Sequence, residues 1–134
     1  IWLRGNNATM AVRLASSVYR LVEPTIVLIH GLDSAKDTWS AVLQQLVTKN
    51  IPAVAYDLRG HGHSPLGNPK DFSVRALVDD IKKAATETGI LGQPNQKIVL
   101  VGHSMGGRVV MEYAATYPDD ICCLLIEVSG GVNL

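Results

Sequence analysis

Four short apolar runs separated by helix-period segments constrain this chain more than any other feature. The runs are Thr25-Ile26-Val27-Leu28-Ile29, Pro52-Ala53-Val54-Ala55-Tyr56, Lys97-Ile98-Val99-Leu100-Val101 and Cys122 through Val128. They are continuous rather than alternating, the pattern of strands covered on both faces of a parallel sheet. Between them, Trp39, Val42, Leu43, Leu46 and Val47 recur at helical spacing, with Asp37 as the N-cap. Val74, Leu77, Val78, Ile81 and Ala85 form a second stripe, opened by Ser73 and closed by Gly89. A third helix is predicted from about Ser104 to Tyr117, burying Val109, Val110, Tyr113 and Ala114, before Pro118 stops it. Strands alternating with helices in this way predict an α/β fold built on a mostly parallel sheet, with helices on both faces. The first 24 residues carry strand-like pieces at Ile1-Trp2-Leu3 and from Met10 to Val22, with a turn at Asn6-Asn7. They read as an antiparallel entry to the sheet.

Composition removes several function classes. The length of 134 residues suits one domain, residues 1–134. Twelve basic side chains balance twelve acidic ones, so the basic face of a nucleic-acid module is not expected. A hydrophobic fraction of 47% excludes a disordered tail, and no apolar run approaches the ~20 residues of a membrane helix. The two cysteines, Cys122 and Cys123, are neighbours and cannot staple a fold. On a predicted buried strand they read as packing residues. Asp79-Asp80 and Lys82-Lys83 read as a solvated helix face. No signal peptide or membrane segment is visible, so the compartment stays unknown, with an intracellular one favoured.

The chemistry concentrates in Gly102-His103-Ser104-Met105-Gly106, a G-x-S-x-G run between a predicted strand and a predicted helix. A strand turning sharply into a helix strains the serine backbone and exposes its Oγ, while flanking glycines remove side chains that would collide. The helix N-terminus adds backbone N–H groups where negative charge develops. Acyl transfer needs two such donors: Met105 N–H, directly after the serine, and an N–H from the loop after an earlier strand. His30-Gly31-Leu32-Asp33 reads as that loop, with Leu32 as the candidate donor; the bland alternative is a simple turn in which Gly31 allows positive φ. The bland reading of the run is a glycine-rich turn with a serine N-cap, or a phosphate-cradling loop. The Gly-Lys-Ser/Thr of a P-loop and the G-x-G-x-x-G of a dinucleotide site are both absent. Gly60 to Pro69 is the most loop-dense stretch; following a strand, it falls at the carboxyl edge of the sheet, where ligands bind. His61 and His63 beside Asp57 are too few ligands for a metallohydrolase centre.

His30-Gly31, then Asp57-Leu58-Arg59-Gly60-His61-Gly62-His63-Ser64, then Gly102-His103-Ser104-Met105-Gly106-Gly107 resemble the α/β-hydrolase superfamily in order and spacing, over roughly Thr25 to Val128. The resemblance implies the α/β-hydrolase fold and an esterase- or lipase-like serine hydrolase acting on a small-molecule acyl substrate, with no cofactor. Ser104 disfavours the branches that use an aspartate nucleophile. The resemblance also implies that Arg59 and His61 hydrogen-bond backbone near the site, and that Trp39 lies near the acyl pocket while anchoring its helix. Gly106 through Glu127 looks somewhat like the menaquinone-pathway synthase that eliminates pyruvate.

The pattern breaks after the nucleophile. In this fold the triad runs Ser, then Asp or Glu, then His, yet all four histidines (30, 61, 63 and 103) lie before Ser104. His103 is expected to point away from Ser104, into the packing between strand and helix, and His30 to be structural. Of the downstream carboxylates, Glu127 stands where some members place the acid. Cys122 through Ile126 would be an edge strand, apolar on both faces, with none of the usual blunting. With Ile1 in place of a starting Met, the expectation is an N-terminal portion lacking its C-terminal strands, with base and acid supplied from beyond it. Two alternatives stand beside this: a non-catalytic subunit whose partner chain covers the last strand, and a lyase or synthase on the same fold.

Overall fold

The computed structural model describes residues 2–5, 8–11 and 24–127. Among the described residues, six strands form one sheet: β1 (Trp2–Gly5), β2 (Ala8–Ala11), β3 (Thr25–Ile29), β4 (Ala53–Tyr56), β5 (Ile98–His103) and β6 (Ile121–Glu127), in the spatial order β1-β2-β4-β3-β5-β6. β3 pairs parallel with both β4 and β5, and β5 pairs parallel with β6. β2 joins β4 antiparallel, with Met10 opposite Tyr56, and β1 lies antiparallel outside it. The antiparallel entry is therefore present over residues 2–5 and 8–11. The turn at Asn6-Asn7 and residues 12–23 lie outside the described residues, as does Val128.

Successive strand residues face opposite sides, and the two sides are covered unequally. Val27, Ile29, Val54, Tyr56, Ile98 and Leu100 pack beneath α2 (Val74–Glu87) and α3 (Met105–Thr116), together with Leu77, Ile81, Val109, Val110 and Tyr113. Burying each such aliphatic or aromatic side chain contributes about 1.5–3 kcal/mol before conformational entropy is charged against it. The other side holds Leu28, Ala55 and Trp39, with Leu43 and Leu46 of α1 (Ser40–Thr48) half-buried against them.

α2 follows its sequence signals closely. The Ser73 side chain caps it by accepting from Ala76 N–H at 3.1 Å, and Gly89 leaves it at φ +75°. α3 ends before Pro118, which opens a single 3₁₀ turn. At the first helix the prediction fails in part. Lys36–Trp39 form a 3₁₀ turn, Asp37 lies inside it rather than capping α1, and Val42 is exposed. Among the described residues one nine-residue helix covers that side, and its ridge through Leu43 and Leu46, with Trp39, packs against the sheet.

Two further expectations are overturned. Cys122 and Cys123 are exposed, as is Leu125 at 59%; among the described residues β6 is the sheet's edge and nothing lies across much of its surface. The Asp79-Asp80 and Lys82-Lys83 segment is more than a solvated face. Asp80 holds Arg59 through two bonds of 2.6 and 2.7 Å, Lys82 donates to Asp120 at 2.7 Å, and Asp79 accepts from Tyr117 hydroxyl at 3.1 Å. Helix α2 is thereby bonded to the β4 loop on one side and to the α3 end on the other.

Candidate active site

The site is built where β5 runs into α3. Ser104 is the residue between them and is exposed, with φ +55° and ψ −118°. A non-glycine residue in that region stores about 1–3 kcal/mol of strain. Its backbone N–H donates to Glu127 O at 2.9 Å, and its own carbonyl accepts from Gly107 N–H at 2.9 Å. The glycines around it are sterically required. A Cβ on Gly102 would overlap the Gly106 carbonyl, and one on Gly106 would stand 2.5 Å from Ile29 O and 2.6 Å from His30 O. Gly106 thus lets α3 start directly against the end of β3, which brings the loop after β3 to the serine. A Cβ on Gly31 would lie 3.1 Å from Ser104 Cβ. Leu32 follows at once, 63% exposed. Met105 N–H is the first of α3, and the geometry of a helix gives it no intrahelical acceptor.

His30 is buried and carries the structural role expected of it. Its Nδ1–H donates to Gly31 O at 2.7 Å and its Nε2 accepts from Leu58 N–H at 3.1 Å. A carbonyl can only accept and an amide N–H can only donate, so this is the neutral imidazole with its proton on Nδ1. Burial lowers its pKa below 6.5, against the raising effect of the Gly31 carbonyl. The His103 ring borders the Gly31 turn: its Nδ1 is 3.3 Å from where a Gly31 Cβ would stand. It therefore flanks the loop rather than pointing into the strand–helix packing. Glu127 is exposed at the end of β6, opposite His103.

Arg59 and His61 both bond backbone, as the resemblance implies. Arg59 donates to Asp71 O at 2.7 Å, and His61 Nδ1 to Arg59 O at 3.0 Å. The stronger anchor of Arg59 is the Asp80 carboxylate, which holds its pKa above the usual value. The His61 ring lies 5.0 Å from that of His30 and 6.2 Å from that of Phe72. Trp39 is buried against the sheet. Among the described residues, no three His, Cys, Asp or Glu side chains are grouped to hold a metal ion.

Sequence reasoning passed over Lys36. It is 2% exposed, and its Nζ donates to Asp57 Oδ2 at 2.6 Å while its backbone N–H donates to Oδ1 at 2.7 Å. Nζ also donates to His63 Nδ1 at 3.0 Å, and His63 N–H donates to Asp57 Oδ2 at 3.0 Å. Burial pushes the Asp57 pKa up, but these hydrogen bonds outweigh it and hold the carboxyl below its ordinary 3.8. One signal was present in the sequence: Asp57 directly follows an apolar run and is followed by Gly60 and Gly62. Nothing local to Lys36 marks it.

Residues 22–133 match the family described as "Serine aminopeptidase, S33". Monoacylglycerol lipase ABHD6 of Mus musculus is 33% identical over 111 residues, which cover 83% of this chain and 32% of that protein. The chain thus spans about a third of the length of the curated relatives it matches. Among solved structures, lip1 of Acinetobacter baumannii AYE superposes with a TM-score of 0.78 at 28% identity, covering 99% of this chain and 42% of that one. A thioesterase domain from the curacin biosynthetic pathway gives 0.73 at 27%, covering 94% and 43%.

Proposed function

We propose that this chain, which belongs to the serine aminopeptidase S33 family of the α/β-hydrolase superfamily, carries the nucleophile and oxyanion hole of a serine hydrolase for esters or related acyl compounds. Ser104 Oγ attacks the carbonyl carbon, forming a C–O bond, and its proton passes to a base. The tetrahedral oxyanion is held by Met105 N–H and Leu32 N–H, a contribution of about 3–4 kcal/mol per donor. Collapse expels the alcohol with that proton and leaves an acyl-serine, which water then hydrolyses.

No histidine follows Ser104 in residues 1–134, so the base, and the carboxylate that orients it, are assigned to residues outside this range. The printed names of the relatives, a monoacylglycerol lipase and a thioesterase domain, support an acyl substrate. The observation that carries the reading is the exposed, strained Ser104 with the Gly31 turn packed against it.

The test is a fluorophosphonate probe applied to the complete protein. Wild type is expected to label at Ser104 and Ser104→Ala to stay blank. Equal labelling of the two sinks the assignment.

A further inference from the structure

The loop carrying Leu32 leaves β3 and spans residues 31–35, which belong to no helix or strand. Asp33 within it adopts φ +54°. Its two ends are fastened to one short stretch of neighbouring chain. At the near end, His30 Nε2 takes the Leu58 N–H. At the far end, the Asp57 carboxylate takes both the Lys36 N–H and the Lys36 ammonium. Asp57 and Leu58 are consecutive and lie directly after β4, so the strand beside β3 holds both ends of its loop.

The far fastening is an unusual choice for stability alone. The Lys36 and Asp57 side chains are 2% and 0% exposed, and desolvating both charges offsets most of their attraction; an apolar pair of similar volume commonly serves stability as well or better. What an ion pair adds is direction, because charge-assisted bonds on both carboxylate oxygens fix a geometry. The surroundings accommodate it closely. His63 N–H supplies a third donor, and a side chain on Gly62 would run into the Asp57 carboxyl.

We propose that Lys36 and Asp57 are positioning residues that aim the Leu32 N–H at the oxyanion formed on Ser104. This rests on the acyl-transfer reading above. An oxyanion donor acts only within about 3 Å of the developing charge, and a displacement of about 1 Å costs on the order of 10²-fold in rate. Removing the Lys36 ammonium leaves the far end on its backbone N–H bond to Asp57 Oδ1, which loosens residues 31–35 and lets the Leu32 N–H turn away.

The experiment uses the complete protein with p-nitrophenyl acetate as substrate and a fluorophosphonate as label. The variants are Lys36→Met and the double variant Lys36→Met/Asp57→Asn. The single variant leaves the buried Asp57 carboxylate with two backbone N–H donors but without the Lys36 ammonium, and is expected to lose both thermal stability and kcat, with KM little changed. The double variant removes both charges, so its Tm recovers toward wild type while kcat stays at least about tenfold down. That separation of kcat from Tm is what a purely structural pair would not produce. The proposal is overturned if kcat recovers together with Tm in the double variant, or if Lys36→Met keeps wild-type kcat. Should Lys36→Met fail to fold, the double variant alone decides by the same criterion. Absence of Ser104 labelling in wild type sinks the acyl-transfer reading and this inference together, whereas wild-type labelling with unchanged variants sinks the inference only.

Discussion

The backbone N–H of Ser104 donates to the carbonyl oxygen of Glu127 at 2.9 Å. The elbow residue is thus bonded to the edge strand, in register with the His103–Glu127 pairing. Its strained backbone is held from two sides: by β6 through this bond, and by the end of β3, against which Gly106 packs. Backbone strain of this kind persists only where the surroundings over-determine it in this way.

Relief of that strain is measurable. Ser104→Gly is expected to raise stability by about 1–2 kcal/mol, because glycine adopts positive φ without the Cβ penalty. The Ser104 side chain makes no capping hydrogen bond to α3, so none is lost. Urea unfolding should show the gain while fluorophosphonate labelling disappears. A stability loss would mean that the φ of +55° is not strained in this setting.

The elbow glycines should be far less tolerant than a glycine whose only constraint is its φ. Gly106→Ala places a Cβ 2.5 Å from Ile29 O, a backbone atom that cannot move without shifting β3. A loss above about 4 kcal/mol is expected. Gly89→Ala meets nothing within 4 Å and has only its φ of +75° to offend, a penalty of about 1–2 kcal/mol. Parallel denaturant titrations rank the two, and the reverse order would refute the steric account.

Stability should fall with acid in two separate windows. Burial depresses the His30 pKa, so below its ordinary 6.5 the unfolded chain binds a proton that the folded one refuses. Stability therefore declines as pH drops from 6.5 through the folded value. Asp57 is held below 3.8 by its three donors, which outweigh burial. Its contribution is complete above 3.8 and is lost as pH falls from there through the folded value. Unfolding free energies measured from pH 8 to 3 should show the first decline flattened in His30→Asn. The second should be weakened in Asp57→Asn.

Asp120 joins elements far apart in sequence. Its Oδ2 accepts from the hydroxyl of buried Tyr113 at 2.8 Å and from Lys82 at 2.7 Å. Asp120→Ala is expected to cost about 1–3 kcal/mol, since it strips the tyrosine hydroxyl of that partner. Adding Tyr113→Phe to Asp120→Ala should cost less than Tyr113→Phe does alone, and a double-mutant cycle reads the coupling. Strict additivity would show that the bond contributes nothing.

The elements legible in the sequence are those whose cause is local. The run Thr25 to Ile29 is β3 to the residue, and Ser73 and Gly89 mark the α2 ends because capping and positive φ are decided within one turn of chain. The elbow is legible for the same reason: Gly102 and Gly106 flank Ser104 within a single bend. Trouble began where an outcome depended on what lies across the sheet. Val42 satisfies the helical period and is nevertheless exposed, as are Cys122 and Cys123 despite their apolar run. Periodicity reports which face a residue takes, and burial needs a partner on that face.

The sequence by itself determined the alternation of strands and helices, the strand–serine–helix joint and the glycines it needs, since each follows from sterics among residues a few positions apart. The tertiary structure alone decided that Lys36 meets Asp57, that Arg59 meets Asp80, and that Gly31 abuts Ser104. Those encounters depend on β4 and β5 lying on either side of β3, an order set by how whole layers pack together and written in no single segment of the chain.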